Sequence, residues 1–391
     1  YTGASAVIVK GVRRCGKSTL LKQILERKFP NSYHYFNFDD DRIIDFKTED
    51  FQTLMEVLTE LSGVKKVLAF DEIQNIKGWE LFVNRLLREG YHVYVTGSNA
   101  NLLSKELGTH LTGRHVDIEL YPFSFSEFLD AKKIPLPKKK FYSTDETAIL
   151  SKTFKEYLNS GGMPEAVVFS NEAVLTQILR DIIQKDILTR YDIRQSSVFK
   201  TVLNFLIANA ANPITFRSVL KNFGLKSATT VQKYIEYMEE TYIIFSIKRY
   251  EKKIKLLDKN PRKIYCIDNG IIRKNSSSLI ENVGQLLENL VAIHLKNYSM
   301  ECYYYKSSTD SEADFVVPKE KLAIQVCYEL NSGNMEREAK GLIEAMHELK
   351  TKNGIILTLD QEHEFSFRGH KIFTKPVWKW LLENEPNKML K

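Results

Sequence analysis

The sequence predicts an α/β protein of several domains that opens on a parallel sheet, and three observations carry that expectation. The chain has 391 residues, whereas one hydrophobic core serves roughly 100–200. The hydrophobic fraction of 43% and the charged fraction of 27% are those of ordinary globular domains, which excludes wholesale disorder. A β-branched run at 6–9 (AVIV) passes directly into a glycine-rich loop and then into Leu20, Leu21 and Ile24 at helical spacing. That is the order of a strand buried on both faces followed by its crossover helix.

Charge and cysteine usage narrow the class. Fifty-six Lys and Arg against 49 Asp and Glu leave a net charge of +7, so where the excess lies matters more than its size. Cys15, Cys266, Cys302 and Cys327 are far apart and form no CxxC pair. That spacing speaks against a disulfide scaffold and a zinc knuckle, and a reducing compartment is expected. No stretch approaches the ~18 apolar residues of a spanning helix, and the run at 6–9 is too short for a signal peptide. We read a soluble, cytoplasmic protein with no membrane partner. Because the chain opens on Tyr1 rather than Met, an upstream piece is expected.

The loop after the first strand is Gly11, Val12, Arg13, Arg14, Cys15, Gly16, Lys17, Ser18 and Thr19, the GxxxxGK[ST] pattern between a strand and a helix. Glycines let backbone N–H groups turn inward around phosphate oxygens, and the helix N-terminus adds partial positive charge. Lys17 is placed to reach the β- and γ-phosphates of a nucleotide, and the Ser18 hydroxyl to complete a Mg²⁺ shell.

Hydrolysis needs an acidic strand beside that loop. The run at 64–70 (VKKVLAF) ends in Asp71 and Glu72, at the strand edge where parallel sheets bind ligands. Asp71 is expected to hold the Mg²⁺ water shell and Glu72 to polarise the attacking water as general base. A further strand at 92–96 ends in Gly97, Ser98 and Asn99. Ser98 or Asn99, with Thr96 as the alternative, is the candidate for orienting that water, although the same residues also suit a plain strand-end turn. Arg114 follows Leu111, Thr112 and Gly113 and precedes a strand at 116–120. It could serve the γ-phosphate of a neighbouring subunit, or be a surface residue or a local ion-pair partner. The polar strand at 33–40, ending in Asp39 and Asp40, is read as architecture lining the site.

In order, GVRRCGKSTLL (11–21), FDEIQNIKGWE (70–80), TGSNANLLS (96–104), LTGR (111–114), YPFSFSEFL (121–129) and YLNSGGMPEAV (157–167) resemble the hallmarks of an AAA+-type ATPase family of archaea and bacteria. Members carry a C-terminal region of obscure function. The resemblance implies Walker roles for Lys17, Ser18, Asp71 and Glu72, with ATP and Mg²⁺ as cofactors. It also places Gln74 and Trp79 in the family's segment after the acidic strand.

Residues 1–130 are thus expected to form the ATPase core and 131–196 a linker and helical lid. The linker contains KKIPLPKKK at 132–140, and the double glycine of Gly161 and Gly162 before Met163 and Pro164 breaks the helical period. Residues 197–262 read as a winged helix. A helix at 197–210 and a second at 216–223 are followed by a turn at Gly224. A third helix then carries Val231, Ile235 and Met238, and strands at 242–249 and 263–267 bracket a hairpin. Segment 248–263 holds eight Lys and Arg against two acids, so most of the excess charge falls there. Double-stranded DNA is the partner this suggests, with protein contact and a merely solvated loop as alternatives.

Residues 263–391 begin with a helix at 281–297 bearing Glu288, followed by strands at 302–305 and 313–317, the latter with Asp314. A strand with Gln325 and Cys327, a helix at about 334–349 and a strand at 354–358 complete it. The order resembles a PD-(D/E)xK nuclease fold, in which a helical Glu, an Asp and an (E/Q)xK pair gather Mg²⁺. Glu288, Asp314 and Gln325 match, whereas Cys327 stands where the lysine belongs. A cysteine cannot supply that cation, so a nuclease-derived binding module is favoured over a cutting enzyme, with Lys306 as the cation that could take over the role. The combined expectation is an ATPase coupling Mg-ATP turnover to conformational change in DNA- or partner-binding rear domains, with self-association possible. The alternatives are an ATP-dependent nuclease and a nucleotide-controlled DNA-binding regulator.

Overall fold

Strand β1 (Ala6–Gly11) leads into helix α1 (Lys17–Lys28), and β2 (Tyr33–Asn37), α2 (Asp50–Ser62), β3 (Val67–Asp71), α3 (Trp79–Arg88), β4 (His92–Gly97) and β5 (His115–Leu120) follow. The computed structural model describes residues 5–99, 114–136, 142–253, 260–275 and 282–384. Residues 111–113 of the LTGR segment, 137–140 of the Lys/Pro linker and 254–259 of the basic segment lie outside them. The five strands form one parallel sheet in the order β2-β3-β4-β1-β5. All five residues of β3 are buried, as a strand covered by helices on both faces requires. Because β4 lies between β3 and β1, the ends of these three strands form one continuous rim.

Aromatic packing holds α2 and α3 on that sheet. Phe51 stacks on Phe82 with ring centroids 4.1 Å apart, and Phe70 lies 5.5 Å from Phe82. Leu68, Phe70, Ile73, Trp79, Val83 and Leu86 complete this core, each side chain contributing about 1.5–3 kcal/mol by leaving water. These elements belong to one compact unit, Tyr1–Tyr121 with Glu240–Tyr242.

The second unit comprises Pro122–Glu239 and Ile243–Lys391. It opens on α4 (Phe125–Ala131), α5 (Thr144–Ser160), α6 (Pro164–Val168) and α7 (Ala173–Asp181), the last continued by a π-helical segment, Ile182–Leu188. Capping boxes start α4 at Ser124 with Glu127 and α5 at Ser143 with Glu146. The break after α5 has a steric cause. A Cβ on Gly161, at φ 75°, would lie 2.2 Å from Asp268 Oδ1, and one on Gly162 would lie 2.3 Å from the Phe123 carbonyl oxygen. The Gly162 N–H instead donates to Asp268 Oδ2 at 2.6 Å.

Next come α8 (Ser196–Ala208), β6 (Pro213–Ile214), α9 (Phe216–Phe223), α10 (Ala228–Glu240), β7 (Ile244–Lys248) and β8 (Arg262–Cys266). Gly224, at φ 61°, ends α9 in the left-handed conformation that closes many helices. Strands β7 and β8 pair antiparallel, and β6 joins β8. After α11 (Asn269–Asn275) come α12 (Val283–Asn297), β9 (Tyr303–Lys306), β10 (Glu312–Val317), β11 (Leu322–Val326), α13 (Met335–Leu349), β12 (Asn353–Thr358), β13 (His363–Phe367), β14 (His370–Pro376) and α14 (Val377–Glu383). The six strands β9 to β14 form a mixed sheet in the order β13-β14-β12-β11-β10-β9. Among the described residues, no helix is long and apolar enough to cross a membrane.

Candidate nucleotide-binding site

The loop between β1 and α1 is shaped by backbone that few residues adopt. Arg14 has φ 64° and Gly16 φ 98°, both left-handed. A Cβ on Gly11 would come within 2.1 Å of the Leu120 carbonyl oxygen, so only glycine fits there. Helix α1 begins with no side-chain cap and no acid in its first turn, leaving its N–H groups and partial positive charge available to an anion. Ser18 lies half-buried in that turn and Thr19 is exposed.

Lys17 is the one charged side chain of this loop that is buried, at 4% exposed. Its ammonium donates to the carbonyls of Gly11 and Val12, each at 3.1 Å, and stands 3.6 Å from Glu72 Oε1. Val12 and Cys15 pack inward, and burial pushes the Cys15 thiol up. Arg13 reaches to 3.8 Å from Asp39, so the end of the second strand does adjoin the loop.

The acids lie across the rim. Asp71, buried at the end of β3, accepts from the Tyr35 hydroxyl at 2.6 Å and from the Thr96 hydroxyl. Burial, followed by that bond to Asp71, pushes the Tyr35 phenol up. The Thr96 oxygen also accepts from the Glu72 N–H at 3.0 Å, so one residue of β4 braces both acids. Glu72 adopts φ 51°, a left-handed conformation that costs a non-glycine residue on the order of 1 kcal/mol. Burial alone would raise its carboxyl. The Lys17 charge, the Gln74 amide, Arg13 and the Ser98 hydroxyl outweigh that and hold it below its ordinary value.

Of the three candidates at the end of β4, Thr96 touches Asp71, Ser98 touches Glu72, and Asn99 is fully buried. Gln74 donates to Glu72, while its own Oε1 is buried without a hydrogen-bond partner. Trp79 is core at the start of α3. Arg114 precedes β5 with an exposed side chain, its carbonyl accepting from the Ala6 N–H at 2.9 Å. Among the described residues, no group of three His, Cys, Asp or Glu side chains is arranged to hold a metal unaided.

In the second unit, Glu288, Asp314, Gln325 and Cys327 all line one cleft of about 1130 Å³. Gln325 Oε1 accepts from the Asp314 N–H at 3.2 Å, and its amide donates to Glu338 at 2.7 Å. Cys327 is buried beside Glu338 and Asp314, and burial pushes its thiol up to about 12. The cation among these acids is one that sequence reasoning missed. Lys263 of β8 approaches Glu288 at 2.9 Å, Glu312 at 2.7 Å and Asp314 at 2.9 Å. Burial alone would lower its ammonium, but Asp314, Glu288 and Glu312 together raise it well above its ordinary value. Lys306 pairs with the exposed Asp310 at 2.9 Å and lies farther, 3.9 Å, from Glu312.

The basic segment is partly spent inside the fold. Besides Lys263, Arg249 donates to the Lys306 carbonyl at 2.6 Å, Lys252 pairs with Glu348 at 2.8 Å, and Arg262 lies 5.1 Å from the centre of the Phe216 ring.

The parallel sheet, the loop and the paired acids define a P-loop ATPase domain, and residues 4–129 match the family described as an AAA domain. Residues 151–282 and 283–378 match two domains of unknown function, DUF8612 and DUF4143. An uncharacterized protein of Methanocaldococcus jannaschii is 36% identical over 96% of this chain and 88% of its own length. One from Haemophilus influenzae is 32% identical over 85% of this chain and 84% of its own. The chain belongs to the same family as these two proteins. Among solved structures, the S. cerevisiae Hsp104:casein complex in its extended conformation aligns at a TM-score of 0.31 and 12% identity over 66% of this chain and 56% of that one. That superposition is too loose to add to the assignment.

Proposed function

We propose that the first unit binds ATP with Mg²⁺ and hydrolyses it, and that the second unit receives the resulting change. The observation that carries this reading is the meeting of Lys17 with Glu72 at 3.6 Å, beside a left-handed loop and an uncapped helix. Lys17 exchanges the carbonyls of Gly11 and Val12 for phosphate oxygens. Ser18 and Asp71 hold the metal's shell, Asp71 being oriented by Tyr35 and Thr96. Glu72, kept ionised by Lys17 and Gln74, takes the proton of the attacking water, and Ser98 fixes its carboxylate. Bound Mg²⁺ supplies charge neutralisation at the phosphates. Arg114, exposed beside β5, is free to serve a neighbouring copy. Rear-unit partners, double-stranded DNA along 248–263 among them, are the destination of the change, and cutting by the second unit is not part of this reading.

Calorimetry with ATP and Mg²⁺, paired with phosphate release, tests it. Glu72→Gln is expected to keep ATP affinity while turnover falls about 10²–10⁴-fold. Normal turnover in that variant removes the base assignment, and absence of Mg²⁺-dependent ATP binding by the intact chain removes the reading. Repeating the assay with duplex DNA present identifies the partner if turnover rises.

A further inference from the structure

In the cleft of the second unit, Glu288 on α12 and Glu312 and Asp314 on β10 converge on one point. We infer that its cation is part of the chain: the Lys263 ammonium stands where a divalent ion would have to bind, so the folded cleft takes up no such ion and carries out no metal-dependent phosphodiester cleavage.

The donor count carries this inference. An ammonium has three N–H groups, and Lys263 approaches three carboxylates at 2.7, 2.9 and 2.9 Å. None is left for a phosphate oxygen, and the residue is only 2% exposed. Two of the three carboxylates have a further donor. Glu288 Oε1 also accepts from the Tyr265 hydroxyl at 2.8 Å, and Asp314 Oδ2 accepts from the Val326 N–H at 2.9 Å. A divalent ion among these oxygens would meet the ammonium at close range in a poorly solvated place, where like charges repel strongly.

Neighbouring positions point the same way. Gln325 offers an amide where a third strand-borne carboxylate would strengthen metal binding, and it spends both ends on Asp314 and Glu338. Cys327 supplies no cation of its own.

The plug is held by its hairpin. Lys263 lies on β8, and Tyr304 of β9 donates from its hydroxyl to the Pro261 carbonyl at 2.7 Å. The Tyr250 N–H donates to the Tyr304 carbonyl at 2.7 Å, and Arg249 to the Lys306 carbonyl at 2.6 Å. The strands flanking Lys263 are therefore tied to the sheet that bears Asp314.

The test uses nucleotide-free full-length protein and counts bound Mn²⁺ by electron paramagnetic resonance. Wild type and Asp314→Asn are expected to bind the same number of ions. Lys263→Met should gain one, lose it again when Asp314→Asn is added, and show a melting temperature that Mn²⁺ raises by several degrees more than it raises that of wild type. Three results overturn the inference: an Mn²⁺ ion on wild type that Asp314→Asn removes, a folded Lys263→Met that gains none, and Mg²⁺-dependent plasmid nicking by wild type that Lys263→Met abolishes. The last would make Lys263 a catalytic residue. Should Lys263→Met not fold, the comparison of wild type with Asp314→Asn still decides. Every arm omits ATP, so failure here leaves the ATPase reading untouched.

Discussion

Lys17 Nζ stands 3.6 Å from Glu72 Oε1, the one opening α1 after β1 and the other just beyond β3, with β4 between. The pair bridges the rim on which the loop and the acids converge. It also couples two roles, because the charge that is to grip phosphate lowers the proton affinity of the carboxylate that is to accept a proton.

Lys17→Ala is therefore expected to weaken ATP binding by about one to two orders of magnitude, since a buried charge-assisted contact is worth about 1.5–3 kcal/mol. Calorimetric titration measures it. The same variant takes from buried Glu72 the cation that lowers its carboxyl most, so that carboxyl should shift upward.

Tyr35→Phe removes one of the two hydroxyls that donate to Asp71. A lost hydrogen bond to a buried charged group costs about 1.5–3 kcal/mol, and urea unfolding of the variant should show a loss of that order. ATP binding should persist, with a raised Mg²⁺ requirement in the turnover assay.

Asp268 gives the rear unit a pH-dependent stability. Burial raises its carboxyl to about 6, while the N–H groups of Gly162 and Ile271 act against that. A folded value above the unfolded one means the contribution is fully present below about pH 4 and is lost as pH rises through about 6. The shift corresponds to roughly 3 kcal/mol. The melting temperature of Asp268→Asn relative to wild type should therefore improve from pH 4 to pH 7, which calorimetry at both ends checks.

Arg114→Ala should lower turnover and leave ATP affinity nearly unchanged. If sites are shared between copies, mixing it with Lys17→Ala restores part of the lost activity. Unchanged turnover would leave Arg114 a surface residue.

How much was legible depends on how local each signal is. GVRRCGKST and the FDE at the end of β3 are contiguous, and their chemistry is set by backbone freedom and by a strand that must be buried on both faces. The capping box of Ser143 and Glu146 is just as local, since the two satisfy each other within one turn, but it was not anticipated. The terminal hairpin β13–β14 and helix α14 were not anticipated. The hairpin's short polar-rich runs, as in HEFSF, carry no apolar period strong enough to separate strand from loop.

The sequence by itself determined that a phosphate-cradling loop meets a pair of acids, since motif, strand and helix are adjacent along the chain and their geometry follows from local sterics. Only the tertiary structure decided which partners complete each site. Tyr35 reaches Asp71 across 36 residues, and Lys263 reaches Asp314 across 51. Such pairings are set by strand order and burial, where a side chain's charge is stable only if another element brings its counter-charge, and no spacing in the sequence records that.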